Sequence, residues 1–190
     1  MNTANKLTVM RVLLIPIFLI VLYWGFNGST YVALAVFVIA SVTDFFDGYI
    51  ARHYNQVTTF GAFLDPLADK VLVFSALIWF VSAGLVPAWA VVIVVAREFA
   101  VTGLRLIAVS EGRVISAAKS GKIKTASTMV CLILMFFPIP SVVVTVCVWL
   151  IVLTTVYSGI EYFVKNRDIL NFKTKCKTIQ QVGRSGKLDF

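Results

Sequence analysis

Six apolar stretches, each near the length that a helix needs to cross a lipid bilayer, make up most of this chain. About 20 apolar residues cross the hydrocarbon core as a helix. Within lipid the backbone must satisfy its own hydrogen bonds, so each stretch is expected to be helical. The sequence therefore predicts an all-α, polytopic membrane protein with six transmembrane helices. These helices are expected at about residues 12–24, 30–53, 60–83, 87–108, 122–137 and 141–164. The first is just long enough to span when the lead-in from Leu7 is included.

Composition leaves no room for a separate soluble domain, since 59% of the 190 residues are hydrophobic. We expect three parts: an interfacial N-terminal segment at 1–11, a six-helix membrane domain at 12–164 and a basic tail at 165–190. The last residues of the tail are expected to be an added, non-native sequence.

The net charge of +8 is distributed on one side of the predicted membrane domain. The turns at 25–29, 84–86 and 138–140 contain no Lys or Arg, whereas the opposite turns and both termini are basic. By the positive-inside rule, both termini and the basic turns face the cytoplasm. This distribution predicts a multi-pass protein of the cytoplasmic membrane in contact with membrane lipids, and it gives no reason to expect nucleic-acid binding.

Four aspartates lie in or beside the second and third apolar stretches: Asp44, Asp47, Asp65 and Asp69. A carboxylate at the centre of a membrane helix costs about 2.5–3.5 kcal/mol on insertion scales, and four would cost about 10 kcal/mol without compensation. Something cationic must therefore lie among them. One interpretation is purely structural, with pairing to basic residues. Those residues would be Arg52, Lys70, Arg97 and Arg105.

The spacing of the aspartates favours a metal site instead. Asp44 and Asp47 are three apart and Asp65 and Asp69 four apart, so each pair shares a helix face. Small residues such as Gly48 and Gly61 let two membrane helices approach closely. Clustered carboxylates suit Mg²⁺, Mn²⁺ or Ca²⁺, and Mg²⁺ keeps positions open for substrate phosphates. We predict a site for two such ions, held by the four aspartates, that faces the cytoplasm.

The same stretch matches, without gap or substitution, the pattern D-x2-D-G-x2-A-R-x8-G-x3-D-x3-D between residues 44 and 69. This pattern closely resembles the signature of the CDP-alcohol phosphotransferases. The resemblance implies that family's fold of six transmembrane helices, usually as a homodimer. It also implies an enzyme that transfers a phosphatidyl or similar group from a CDP-linked donor to an alcohol and releases CMP.

The resemblance also implies roles for individual residues. Asp44, Asp47 and Asp65 would be the principal metal ligands, and Asp69 the general base that takes the proton of the acceptor hydroxyl. The donor, CDP-diacylglycerol, would lie against Asp47 and three further residues of the motif. These are Gly48, Arg52 and Gly61.

A basic set on the same side indicates an anionic acceptor, because phosphate monoesters bind well to clustered cations. The set comprises Arg105, Arg113, Lys119 and Lys122. The alternative is that these charges face anionic lipid. We expect that alternative for Lys124 and the tail lysines. For Arg97 we expect a structural partner, such as Glu98 on a neighbouring helix or an aspartate of the motif.

Flanking motifs resemble the members of the family that use sn-glycerol 3-phosphate as acceptor. They include residues 5–11, Arg97-Glu98-Phe, 114–117 and 121–126, although Thr128 stands where Gln is expected. The implied product is phosphatidylglycerophosphate, made in phospholipid biosynthesis.

Other functions stay open at the level of sequence. Within the same chemistry, the acceptor could be phosphatidylglycerol, serine or an inositol phosphate. A prenyl-diphosphate transferase would typically need a second aspartate-rich motif, which this chain lacks. A divalent-cation transporter would need polar residues across the whole membrane, whereas the other halves of the second and third stretches are almost wholly apolar.

Overall fold

The chain folds into a bundle of helices in the order that the apolar stretches predict. The computed structural model describes the backbone of residues 3–53, 59–110 and 119–170 and the side chains of residues 9–43, 67–110 and 120–168. Within these ranges all regular structure is helical. The helices are α1 Thr3–Trp24, α2 Ser29–His53, α3 Thr59–Ser82, α4 Ala88–Ser110, α5 Lys119–Met135, α6 Ser141–Lys165 and the short α7 Arg167–Leu170.

Glycine and proline end the helices at one side of the bundle. Gly25 and Gly28 between α1 and α2 have φ angles of 69° and 88°, and Gly84 after α3 has a φ of 73°. Only glycine adopts this left-handed region without strain, so these residues fix tight turns. Pro140, at φ −57° and ψ 144°, is extended and directly precedes α6. The turn positions predicted from the sequence are thereby confirmed.

The short turns make neighbouring helices antiparallel, which gives the bundle two distinct ends. We call the end that holds the last turns of α2 and the first turns of α3 the acidic end, and the other the aromatic end. Helix α3 contacts α1, α2, α4 and α5, whereas α6 packs against α4 and α5. Helix α3 therefore connects the acidic motif to α4 and α5, whereas α2 connects it to α1.

Aromatic side chains fill the core at the aromatic end. The Phe136 ring lies 4.9 Å from that of Phe80 and 5.9 Å from that of Phe37, measured between centroids. It also stacks on Trp79 at 6.0 Å and meets Phe18 edge-on at 6.2 Å. Aromatic pairs at these distances add to the stabilisation from buried area. This cluster fastens α1, α2 and α3 to the end of α5.

Much of the outward surface is apolar. On α6 large apolar side chains such as Val142, Leu153 and Ile160 are more than half exposed, and α4 exposes Val92, Phe99 and Leu106 similarly. Among the described residues, α6 is long and apolar enough to cross a membrane, and residues 9–24 and 29–43 form shorter apolar helices. The prediction of six spans is met in helix number and position, while their insertion in a bilayer stays a prediction.

The first helix begins earlier than the predicted span at 12–24, and the interfacial position of residues 1–11 stays a prediction. Helix α1 is continuous from Thr3, and Arg11 is fully buried. Arg11 falls on the stripe that continues through Ile15, Phe18 and Leu22, at intervals of four, three and four residues, and all four side chains are buried. The inward face of α1 thus extends to the acidic end and carries a guanidinium there.

Candidate active site

The four aspartates of the motif lie on two antiparallel helices at the acidic end. Asp44 and Asp47 belong to the last turns of α2, and Asp65 and Asp69 to the first turns of α3. Because both segments are helical, the spacing places each pair on one face of its helix. Whether the two pairs meet in one cluster stays a prediction, since the side chains of Asp44, Asp47 and Asp65 lie outside the described set.

The residues expected at the donor nucleotide have the same status. Gly48 and Arg52 lie in α2 and Gly61 in α3, so all three occupy helical positions at the acidic end. The side chain of Arg52 is outside the described ranges. His53 is the last residue of α2.

Asp69 is the aspartate of the motif whose side chain the structure describes. It is half-buried and interacts with other groups of the protein. Its charge also acts on the ammonium of Lys70, the next residue along α3. Among the described side chains, no three acidic, cysteine or histidine residues form a group that could hold a metal ion. The predicted metal site extends beyond that set, so it is neither confirmed nor contradicted.

Glu98, in the middle of α4, binds cations from three helices. Its Oε1 accepts hydrogen bonds from Lys124 Nζ of α5 at 2.7 Å and from Arg97 Nη1 at 2.8 Å. Its Oε2 lies 3.9 Å from Lys70 Nζ of α3. The side chains of Glu98, Arg97 and Lys124 are only 14%, 12% and 7% exposed. One carboxylate therefore ties α3, α4 and α5 together; we call these four residues the Glu98 network.

Lys70 has a second partner on α4. Its Nζ donates a hydrogen bond to Thr102 Oγ1 at 2.6 Å. Thr102 is one turn beyond Glu98 on α4, so both partners approach Lys70 from the same helix face. The Lys70 side chain is 29% exposed, twice the exposure of Glu98.

Arg97 joins α6 to this end of the bundle. A Cβ added at Gly159 of α6 would lie 3.2 Å from Arg97 Cγ, and one at Gly121 of α5 would lie 3.9 Å from Arg97 Nη2. The absence of a side chain at Gly159 therefore makes room for the arginine stem. Arg97 Nε is buried and makes no hydrogen bond to the described residues. The prediction that Arg97 pairs with Glu98 is confirmed, but the expected pairing across neighbouring helices is wrong, because the two are adjacent residues of α4.

The predicted acceptor residues divide into two groups. Arg105 and Lys122 are exposed at the acidic end, and the charge of Arg105 acts on Lys70. Arg113 and the side chain of Lys119 lie outside the described ranges. Our prediction for Lys124 was wrong: the side chain does not face lipid but is buried against Glu98. A buried ammonium requires a compensating partner, and Glu98 supplies it.

Sequence reasoning missed three residues at this end. Lys70 was considered only as a partner for aspartates, Thr102 was not singled out, and Arg11 was placed in the lead-in. The stripe of Ile15, Phe18 and Leu22 could have indicated that Arg11 faces inward. The hydrogen bond between Lys70 of α3 and Thr102 of α4 could not be predicted from local sequence, because the two residues are far apart in the chain.

Comparison with known proteins decides the family. The model of the CDP-alcohol phosphatidyltransferase family matches residues 1–157. The chain belongs to this family. It is similar to a Bacillus subtilis protein named CDP-diacylglycerol–glycerol-3-phosphate 3-phosphatidyltransferase, at 44% identity over 89% of this chain and 97% of the relative.

Two further relatives agree with the family assignment. A Mycobacterium tuberculosis protein named probable phosphatidylglycerophosphate synthase is 41% identical over 88% of this chain and 83% of its own length. An Escherichia coli protein with the same name as the Bacillus relative is 43% identical over 69% of this chain and 74% of its own length. Membership of the CDP-alcohol phosphatidyltransferase family favours the transferase interpretation over prenyl transfer and over cation transport.

Proposed function

We propose that this chain transfers the phosphatidyl group of CDP-diacylglycerol to sn-glycerol 3-phosphate, giving phosphatidylglycerophosphate and CMP. The observation that carries the proposal is the 41–44% identity to relatives named for this activity, over most of the chain. The excess of cations around Glu98 at the acidic end supports an anionic acceptor. The same chemistry with phosphatidylglycerol, serine or an inositol phosphate as acceptor is the alternative.

The proposed setting is the cytoplasmic membrane, with six spans and both termini in the cytoplasm. Helices of 22 to 25 residues, as α1, α2, α3, α4 and α6 are, match the thickness of the hydrocarbon core. The apolar outward surface supports lipid contact, because soluble monomers rarely expose contiguous apolar patches of this kind. The charged side chains of Arg97 and Glu98 in α4 belong to the Glu98 network, which lowers the cost of placing them within a membrane.

The carboxylates of the motif aspartates are suitable ligands for divalent metal ions. Asp44, Asp47, Asp65 and Asp69 offer hard carboxylate oxygens on two helices that contact each other. Such oxygen ligands suit Mg²⁺ or Mn²⁺, and we propose that the site holds two ions. Metal ions at this position would offset the charge of the donor diphosphate and of the bond that breaks.

The remaining motif residues are proposed to hold the donor. Asp47, Gly48, Arg52 and Gly61 face the CDP group, with the glycines allowing the backbone to approach the nucleotide. The Arg52 guanidinium offers paired donors to phosphate oxygens. The acyl chains of the donor then extend toward the apolar surface of the bundle.

The reaction itself is a displacement at phosphorus. An acceptor hydroxyl oxygen attacks the β-phosphorus of CDP-diacylglycerol, forming a new P–O bond. The bond from this phosphorus to the oxygen that bridges it to the α-phosphate breaks, and CMP leaves with that oxygen. Asp69 takes the hydroxyl proton, so its carboxylate must be ionised when the acceptor binds. The half-buried position of Asp69 at the acidic end supports this role.

The acceptor phosphate is proposed to lie among Arg105, Arg113, Lys119 and Lys122. Arg105 near the end of α4 and Lys119 and Lys122 at the start of α5 support this proposal, because these helix ends lie on the same side of the bundle as the aspartates. Arg113 falls outside the described residues. We also propose that the chain forms a homodimer, because its sequence resembles a family whose members are usually homodimers.

The deciding experiment is CMP release by the purified full chain in detergent–lipid micelles. With CDP-diacylglycerol, we expect release only when both glycerol 3-phosphate and Mg²⁺ or Mn²⁺ are present, and release should stop on chelation. Parallel reactions contain serine, inositol phosphate or phosphatidylglycerol in place of glycerol 3-phosphate. Turnover with one of these and none with glycerol 3-phosphate would contradict the proposed acceptor.

A further inference from the structure

The cations of the Glu98 network share its one carboxylate unequally. Arg97 and Lys124 bind the same oxygen at 2.8 and 2.7 Å and are nearly buried. Lys70 lies 3.9 Å from the other oxygen, and more than a quarter of its side chain is exposed. Arg97 and Lys124 therefore serve to hold the helices together. The ammonium of Lys70 is less strongly paired and more exposed, so it can also bind a ligand.

The charge balance of this network favours an anionic ligand. Three cations surround one carboxylate. Adding the charge of Asp69, which also acts on Lys70, still leaves these five groups with a positive excess. An excess of buried charge is costly unless a further group of opposite sign compensates it. Lys70 is the most exposed of the three cations, so an anion from solution would meet the excess at this side chain.

The position of Lys70 also matches the geometry of the proposed reaction. It follows Asp69 directly on α3, and its ammonium responds to the charges of both Asp69 and Arg105. Its ammonium is therefore near enough to the proposed base and to a proposed acceptor cation to interact with both charges. Thr102 Oγ1 accepts one of its three hydrogens at 2.6 Å, which fixes the ammonium while leaving donors for a ligand.

We propose that Lys70 binds the phosphate of the acceptor, and thereby places a hydroxyl of the same molecule beside Asp69. Thr102 and Glu98 are positioning residues that hold the Lys70 ammonium in place. The ligand is a phosphate monoester that carries a free hydroxyl a few bonds from the phosphate. This inference rests on the proposed transferase function and adds a specificity-determining residue to it.

The test separates binding of the acceptor from binding of the donor. For Lys70→Ala we expect the KM for glycerol 3-phosphate to rise about tenfold or more, with the KM for CDP-diacylglycerol within about twofold of the wild type. Inorganic phosphate should compete with glycerol 3-phosphate in the wild type and compete much more weakly in Lys70→Ala. Lys70→Arg should recover part of the loss, because it restores the charge with a different geometry.

Lys165→Ala is the matched control for the loss of a cation. Lys165 also pairs with a glutamate, Glu161 of α6, but is 63% exposed and outside the Glu98 network. Both of its KM values should match those of the wild type. An equal rise in both KM values of Lys70→Ala, or a rise for the donor alone, would overturn the inference, since Lys70 would then serve the donor diphosphate or the fold.

A second pair of variants tests positioning even if Lys70→Ala fails to fold. Thr102→Val keeps the shape of the side chain but removes the acceptor of the Lys70 hydrogen bond, and Thr102→Ser keeps that acceptor. We expect a severalfold rise in the KM for glycerol 3-phosphate in Thr102→Val only. Equal KM values in the two variants would contradict the positioning role. If the wild type releases no CMP with glycerol 3-phosphate, it is the proposed function that fails.

Discussion

The two ends of the bundle are held together by different forces. At the aromatic end, rings from α1, α2 and α3 surround Phe136, the residue that follows α5, and the contact is apolar throughout. At the acidic end, α3, α4 and α5 meet around the carboxylate of Glu98. Apolar packing gives stability with little directional demand, whereas a buried charge network costs desolvation and is sensitive to the loss of any member.

This difference suggests a division of labour. The aromatic end is built mainly from apolar side chains, and no three acidic, cysteine or histidine residues group together among the described side chains there. The acidic end includes charges whose burial would be hard to explain by stability alone. We therefore expect substitutions at the acidic end to change kinetic constants, and substitutions at the aromatic end to change stability alone.

The largest effect is expected for Asp69→Asn. This change keeps the size of the side chain but removes its ability to accept a proton, so kcat should fall by about a hundred- to ten-thousand-fold. Binding of CDP-diacylglycerol, measured with the purified variant in micelles, should persist. Asp168→Asn is the control, because Asp168 is an exposed aspartate that lies beyond α6. Near-normal turnover of Asp69→Asn would remove the role of Asp69 as general base.

The next effect compares one residue from each end. Glu98→Gln leaves three cations without their shared carboxylate, and breaking a buried ionic contact costs about 3–5 kcal/mol. Phe136→Ala removes a ring at the centre of the aromatic cluster, which also costs about 3–5 kcal/mol. Thermal unfolding midpoints in one detergent should therefore drop to a similar extent in both variants.

Kinetics should separate these two variants. Glu98→Gln releases Lys70 from its position and should raise the KM for glycerol 3-phosphate, whereas Phe136→Ala should leave that KM unchanged below its unfolding temperature. The rates must be normalised to the folded fraction. A KM change of the same size in Phe136→Ala would show that the two ends are not independent.

The sequence predicted the elements of the fold better than the contacts between them. Apolar length and turn residues such as Gly84 and Pro140 are local signals, and they placed the six long helices within a few residues of their observed bounds, except that α1 begins at Thr3 rather than near residue 12. The family signature likewise depends on a short stretch of chain. Lys124 was misjudged because its partner Glu98 lies 26 positions away, and only the packing of α5 on α4 brings the two together.

The same limit applies within the candidate site. Lys122 and Lys124 are two positions apart and chemically alike, yet one is exposed and the other buried. Residues two apart on a helix point about 200° from each other, so the orientation of α5 in the bundle decides which lysine is buried. The positive-inside rule counts both lysines equally as cytoplasmic charges, so it cannot predict which of the two is buried.

The smallest effect tests how tightly the acidic end is packed around Arg97. In Gly159→Ala the new methyl group would lie 3.2 Å from Arg97 Cγ, closer than normal contact. The arginine is held at its far end by Glu98, so it cannot move away freely. Overpacking costs about 1–3 kcal/mol. The better helix propensity of alanine over glycine returns about 1 kcal/mol. We expect a net loss of about 1 kcal/mol, which for a chain of this size lowers Tm by about 2–4 °C.

Gly121→Ala provides the matched comparison, because it adds the same methyl group beside the same arginine from the other helix. Its Cβ would lie 3.9 Å from Arg97 Nη2, an ordinary contact, so the gain in helix propensity should dominate. We therefore expect Tm to stay constant or rise in Gly121→Ala and to fall in Gly159→Ala. Shifts of the same sign would mean that Arg97 can yield at both sides. The acidic end would then be packed no more strictly than the aromatic end, and its sensitivity would have to come from charge alone.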